Sequence, residues 1–184
     1  MTQDLFLQDG SIAIRPYQPG DAQGVFEAIR ESVTDVSPWL RDLGSAQSVV
    51  EVEAYFAVQP ENWANGIAYN FAITDLQGLT ILGGCGLTQI HLNHRFANLY
   101  YWVRSRYTRQ GIASRATRLL AQFGLETLGL QRIEIVVETT NTASLRVAEK
   151  AGAQREGILR NRLNTRGAAH DAVMFSLVPQ DFGN

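Results

Sequence analysis

The sequence predicts a mixed α/β fold: a mostly antiparallel central sheet with helices on both faces. Three observations carry that prediction. Short alternating apolar runs of strand length recur from Ser11 to the C-terminal region, and longer stretches between them have helical apolar spacing. Their order, β-α-α-β-β-β-α-β-α-β-β, holds one strand–helix–strand unit, around Gly111. Such a unit implies a parallel pair joined by a crossover, set in an otherwise antiparallel sheet.

The elements follow in order. "SIAIRPY" alternates as a strand with Ile12 and Ile14 on one face, and the chain turns at Pro19-Gly20. Asp21 is a suitable cap for a helix carrying Val25, Phe26 and Ile29. "SAQSVVEVEAYFAV" reads as a second helix opened by Ser45, with Val49, Val52, Tyr55 and Phe56 at helical spacing. "YNFAITD" and "LTILGGCGLTQI" flank Leu76-Gln77-Gly78, the mark of a hairpin. "ANLYYWVRS" is an aromatic-rich strand. The next helix places Ile112, Ala116, Leu119, Leu120 and Phe123 on one face and ends at Gly129. "RIEIVVET", "NTASLRVAEKAG" and a last hairpin turning near Asn164 to Gly167 complete the chain.

Composition bounds the class. A chain of 184 residues suits one domain, spanning 1–184, with a real core. It is 45% apolar and 18% charged with net charge −2, which offers no global field for nucleic acid. The one cysteine, Cys85, lies in an apolar run and reads as a buried small hydrophobe, so neither a disulfide nor a metal site is expected. "MTQDLFLQDG" lacks the basic start of a secretory signal, and no run is long enough to span a bilayer, so no membrane role and a cytoplasmic location are expected.

The most informative stretch is "TRQGIASRA", residues Thr108 to Ala116. Gly111 stands where a strand gives way to a helix, among Arg104, Arg106, Arg109 and Arg115. The first N–H groups of a helix have no intrahelical partner and attract anions. A glycine at that point opens access to the backbone, and small Ala113 and Ser114 keep the first turn clear. These features describe a phosphate-binding turn. It is neither a Walker loop nor a Gly-x-Gly-x-x-Gly dinucleotide turn.

That turn resembles the acyl-CoA signature of the GNAT acetyltransferases, here Thr108-Arg109-Gln110-Gly111-Ile112-Ala113, with Thr108 where Gln or Arg is usual. Downstream, Asn141, Ser144, Lys150, Gly152, Glu156 and Gly157 match a segment of the RimJ/RimL-like branch, with Ala153 replacing its usual Phe. Upstream, "SPWL" at Ser37 to Leu40 is similar to that branch's Trp-Leu segment. The resemblance covers nearly the whole chain and implies the GNAT fold, with a parallel pair of strands that splay apart at an acetyl-CoA site.

By the same resemblance, the diphosphate of acetyl-CoA would lie on Arg109, Gln110, Gly111, Ile112, Ala113 and Ser114. The pantetheine arm would pair with the main chain of Tyr101, Trp102, Val103 and Arg104, and Asn141 would hydrogen-bond it. The Val103 N–H would polarise the thioester carbonyl, and Ser144 would protonate the departing thiolate. Trp39 and Tyr100, with Trp63 beside them, would line the acceptor pocket. The glutamates that relatives use as a base are replaced by Ile67 and Asn98, which leaves His91 and His94 as candidate proton acceptors.

An α-amino group titrates near ~7.8 and a lysine amine near ~10.4, so neutralising the lysine costs about 3.5 kcal/mol more. A site without an evident strong base therefore favours the N-terminal α-amine of a protein as acceptor. The alternatives are a small amine such as a polyamine, aminoglycoside or amino acid, or a module that binds CoA without catalysis. The exposed C-terminal hairpin offers an edge for a homodimer.

Overall fold

The structure is a computed structural model that describes residues 5–36, 46–165 and 167–183. Eight strands form one sheet in the order β1-β2-β3-β4-β5-β6-β8-β7. They are β1 (Leu7–Gln8), β2 (Ala13–Pro16), β3 (Tyr69–Thr74), β4 (Ile81–His91), β5 (Phe96–Val103), β6 (Arg132–Glu138), β7 (Gln154–Thr165) and β8 (Ala168–Leu177). Neighbours pair antiparallel except β5 and β6, which run parallel and are joined by the crossover helix α4 (Ile112–Gln122), as expected.

Helices cover both faces. α4 and α5 (Thr142–Lys150) seal one face through Ile112, Ala116, Leu120 and Ala148, packed with Leu99, Ile133, Ile135 and Phe175. α1 (Ala22–Val36) and α2 (Val49–Ala57) cover the other through Val25, Ile29, Val52 and Phe56, against Ala72, Ile81 and Trp102. The glycines of "LGGCGL" make that second face possible. A Cβ on Gly84 would run into the Tyr17 hydroxyl and the Trp102 indole nitrogen, and one on Gly86 into Asn70 and the Tyr100 ring. Cys85, between them, is fully buried, and burial pushes its thiol far above the usual range.

Several elements differ from the sequence expectation, each for a local reason. Leu7–Gln8 adds an edge strand too short to show any alternation. A short helix, α3 (Gln59–Ala64), follows α2 and begins at the Gln59-Pro60 step. Ser48 caps α2, its hydroxyl accepting from the Glu51 N–H at 3.3 Å, while Ser45 lies outside the described residues. Asp21 does not cap α1. It lies in a 3-10 turn before that helix, and its buried carboxylate takes two hydrogen bonds from Arg15, at 2.6 and 2.8 Å. The same guanidinium reaches the Gly78 carbonyl at 2.7 Å, so this pair ties β2 to the β3–β4 turn.

Candidate active site

The site arises where two parallel strands part. β5 and β6 are paired only through Phe96–Arg132, Ala97–Ile133 and Asn98–Glu134. Beyond Asn98 the other edge of β5 has no strand partner, although β4 continues beside it as far as Val103. Backbone groups alternate sides along a strand. The Arg104 N–H donates to the Leu82 carbonyl at 2.8 Å, so Arg104 and Trp102 direct their main chain to β4. By the same alternation, Tyr101 and Val103 direct theirs into the opening. Of the four residues expected to present main chain there, two therefore do so, and Trp102 and Arg104 are occupied by the sheet.

α4 begins at the wide end of the opening. Its N-cap, Gly111, has φ +79°, and among the described residues no side chain caps the helix. The N–H groups of Ile112, Ala113 and Ser114 thus stay without intrahelical partners. The requirement for glycine here is conformational. An added Cβ would meet nothing closer than Arg115 Nε at 3.9 Å, but φ lies in the left-handed region. Arg109 is also left-handed, at φ 63°. The Ser114 hydroxyl turns back to donate to the Gly111 carbonyl at 2.9 Å, leaving its amide as the outward group.

The arginines around this turn are not equivalent. Arg104 and Arg106 both pair with Glu31 of α1, which holds that carboxyl down at about 2. Arg115 pairs with Asp9 at 2.9 Å. Arg109 is exposed and forms no ion pair among the described residues.

The second helix at the opening, α5, starts differently. Asn141 is its N-cap, with Oδ1 accepting from the Ser144 N–H at 3.1 Å. The Ser144 hydroxyl lies 2.7 Å from the Tyr101 hydroxyl, which also donates to the Ser144 carbonyl at 3.0 Å. Burial pushes the Tyr101 phenol up to about 12, so it remains protonated throughout the neutral range. Sequence reasoning selected Tyr101 for its backbone and missed this hydroxyl pair. The alternation of β5 was the available signal, because it sends Tyr101 to the same face as Leu99 and α5.

Other expected residues fall elsewhere. His91 ends β4 and His94 sits in the turn to β5, the two rings stacked at 4.6 Å. That turn is at the closed end of β5, about 23 Å of strand from Val103, so neither faces the opening. Trp63 is a core residue packed on Tyr69, Phe71 and Phe123. The Tyr100 hydroxyl is already engaged, donating to Asn70 Oδ1 at 3.0 Å beside the Tyr55 hydroxyl. Ile67 is exposed, and Asn98 lies in the paired stretch of β5. Glu156 of the RimJ/RimL-like segment is structural: it takes two bonds from Arg132 and one from Ser176, which draw its carboxyl down to about 2. Trp39 and the rest of "SPWL" lie outside the described residues.

An unpaired strand edge, an uncapped helix N-terminus and a hydroxyl pair at one opening suit a donor with an anionic end, an extended amide arm and a leaving group needing a proton. Comparison with known proteins gives the chain its family. The acetyltransferase (GNAT) domain profile matches residues 11–154, and the chain belongs to that family of N-acetyltransferases. It is 27% identical over 173 residues to YoaA of Bacillus subtilis, an uncharacterized N-acetyltransferase, covering 94% of this chain and 96% of that one. A Vibrio cholerae structure, provisionally named a ribosomal-protein-serine acetyltransferase, is 30% identical with TM-score 0.83, covering 97% of this chain and 100% of that one. RimJ of Mycobacterium smegmatis, solved with a CoA disulfide, shares the fold at TM-score 0.84 and 24% identity, covering 94% of this chain and 84% of that one. Among the described residues no helix is long and apolar enough to cross a membrane.

Proposed function

We propose that this N-acetyltransferase takes its acetyl group from acetyl-CoA and delivers it to the N-terminal α-amine of a protein or peptide. The observation that carries the reading is the opening between β5 and β6, where the main chain of Tyr101 and Val103 has no partner on β6 and the Tyr101 side chain of the same strand meets the Ser144 hydroxyl. The amides of Ile112, Ala113 and Ser114 take the diphosphate beside Gly111, with Arg109 supplying charge and Gln110 flanking the turn. Tyr101 and Val103 pair with the pantetheine arm as an added strand would. The Asn141 side-chain amide donates to the same arm. The Val103 N–H polarises the acetyl carbonyl, and the Ser144–Tyr101 pair supplies the proton for the sulfur.

Support for an α-amine acceptor comes from the likeness, at 30% identity over 97% of this chain, to the Vibrio cholerae structure named a ribosomal-protein-serine acetyltransferase. The test measures thiol release from acetyl-CoA with a serine-initiated peptide, the same peptide N-terminally blocked but with an internal lysine, spermidine and an aminoglycoside. The free N-terminus is expected to react fastest. Equal or faster turnover of the lysine peptide would overturn the α-amine reading.

A further inference from the structure

Glu138 ends β6, and its alternation sets it apart from the core. Ile133, Ile135 and Val137 pack under α4 and α5, so Glu134, Val136 and Glu138 face the opposite side, that of α1 and α2. The side chain is only 6% exposed, and its Oε2 has no hydrogen-bond partner among the described residues. The other oxygen, Oε1, accepts from the Thr140 hydroxyl at 2.7 Å and lies 3.4 Å from His170 Nδ1.

A carboxylate held out of water with one bare oxygen is costly unless a ligand completes it. Its place indicates which ligand. β5 and β6 pair with an offset of 36 residues (Asn98 with Glu134), and extending that register sets Glu138 level with Trp102, one residue from Val103. Glu138 is therefore level with the Val103 amide on the facing strand, on the face away from the Ser144–Tyr101 pair, and its bare oxygen is enclosed there. The other charged groups on that face of β6 do not compete: Glu134 is paired with Arg132, which also holds Glu156.

Resting on the acetyl-transfer reading above, we propose that Glu138 is the proton acceptor for the incoming amine, with His170 its outlet to solvent. An ammonium N–H bond breaks as an O–H bond forms at Oε2, which frees the nitrogen lone pair. The C–N bond then forms as the C–S bond breaks. The nitrogen carries one more proton than the amide keeps. The first proton leaves Glu138 through His170, whose side chain is 35% exposed. Glu138 then takes the second as the C–S bond breaks, and the Ser144–Tyr101 pair regains from solvent the proton it gave the sulfur. The chain thus carries a base at a position unlike those filled by Ile67 and Asn98.

The test is Glu138→Gln, which keeps shape and removes basicity. With the serine-initiated peptide at neutral pH, kcat/KM is expected to fall by on the order of 100-fold. The Kd for acetyl-CoA should stay within about twofold, and turnover of hydroxylamine, an amine already neutral at that pH, should fall far less. Wild-type kcat/KM on the peptide would overturn the assignment. So would an equal loss on both amines, which would mark Glu138 as structural. Glu138→Asp, which retains the carboxylate on a shorter arm, should recover part of the peptide activity if Gln has lost it. If the wild-type protein does not acetylate the peptide, the acceptor reading fails, and the same comparison is made on spermidine, where Glu138→Gln must again lose activity.

Discussion

Two helices begin at the same opening, and they begin in opposite ways. α5 is closed by its own cap: Asn141 takes the Ser144 N–H, and the Tyr101 hydroxyl sits on the Ser144 carbonyl and hydroxyl. α4 is left open, because its cap residue has no side chain and a left-handed backbone. The difference is one between internal and external satisfaction of helix-end amides. Where the chain supplies the acceptor, the helix end becomes a fixed platform for a hydroxyl. Where it supplies none, the amides remain available to an anion. The arginines follow the same division, since Arg104, Arg106 and Arg115 have ion-pair partners while Arg109 has none among the described residues.

The contrast breaks most sharply at Gly111. Gly111→Asp puts a carboxylate where the diphosphate is proposed to bind, and acetyl-CoA affinity is expected to fall about 100-fold, about 2.8 kcal/mol. Gly111→Asn isolates the charge, because Asn tolerates the left-handed region nearly as well, so its loss should stay within severalfold. Calorimetric titration of both variants decides the matter. Normal binding by the Asp variant would remove the diphosphate from this turn.

Opening the closed helix should matter less. Asn141→Ala leaves the Ser144 N–H uncapped and should cost about 1 kcal/mol of stability, read as a fall of roughly 2–4 °C in Tm for a chain of this size. Acetyl-CoA should also bind less tightly, because the donor proposed for the pantetheine arm is gone. A loss of stability with unchanged affinity would confine Asn141 to its capping role.

The smallest effect concerns Glu31. Two arginines hold its folded-state carboxyl at about 2, against 4.5 for an unconstrained one. A depressed carboxyl contributes stability that is complete above the unfolded value and is lost as pH falls through the folded value. Thermal melts between pH 5 and 2 should therefore decline for the wild-type protein and flatten in part for Glu31→Gln. Parallel curves would show that the pair contributes nothing measurable, the ordinary fate of an exposed ion pair.

Local signals were legible in the sequence, and relations between distant residues were not. Helix α4 was readable because its periodicity is complete and a glycine stands at its start. The turn at Gly78 was readable for the same reason of local chemistry, with φ +73° and the Asp75 carboxylate taking the Leu79 and Thr80 amides. The pairing of Arg104 with Glu31 spans 73 positions, so nothing near Gly111 announces that those charges are already engaged. Glu138 was overlooked for a related reason. A glutamate at the end of "RIEIVVE" looks like a solvated strand terminus until β8 lies alongside, with Ala172 opposite, and encloses it. The histidines of "QIHLNHRF" misled because proximity to a strand end does not say which end of the sheet opens.

The three residue pairs joining β5 to β6 have a mechanical consequence. With the Gln131 N–H bond to the Arg95 carbonyl beside them, they form the main-chain seam seen among the described residues between a five-stranded wing and a three-stranded one, and beyond them the wings are held by side-chain packing under α4 and α5. Two panels on so short a hinge cannot open without disturbing that shared packing. The seam is thus where the sheet should first admit solvent, and the amides of Tyr101 and Val103 should lead its hydrogen exchange. A bound molecule that lies in the cleft and touches both panels acts as a clasp, so slower exchange at these two amides would register its arrival before any product is made.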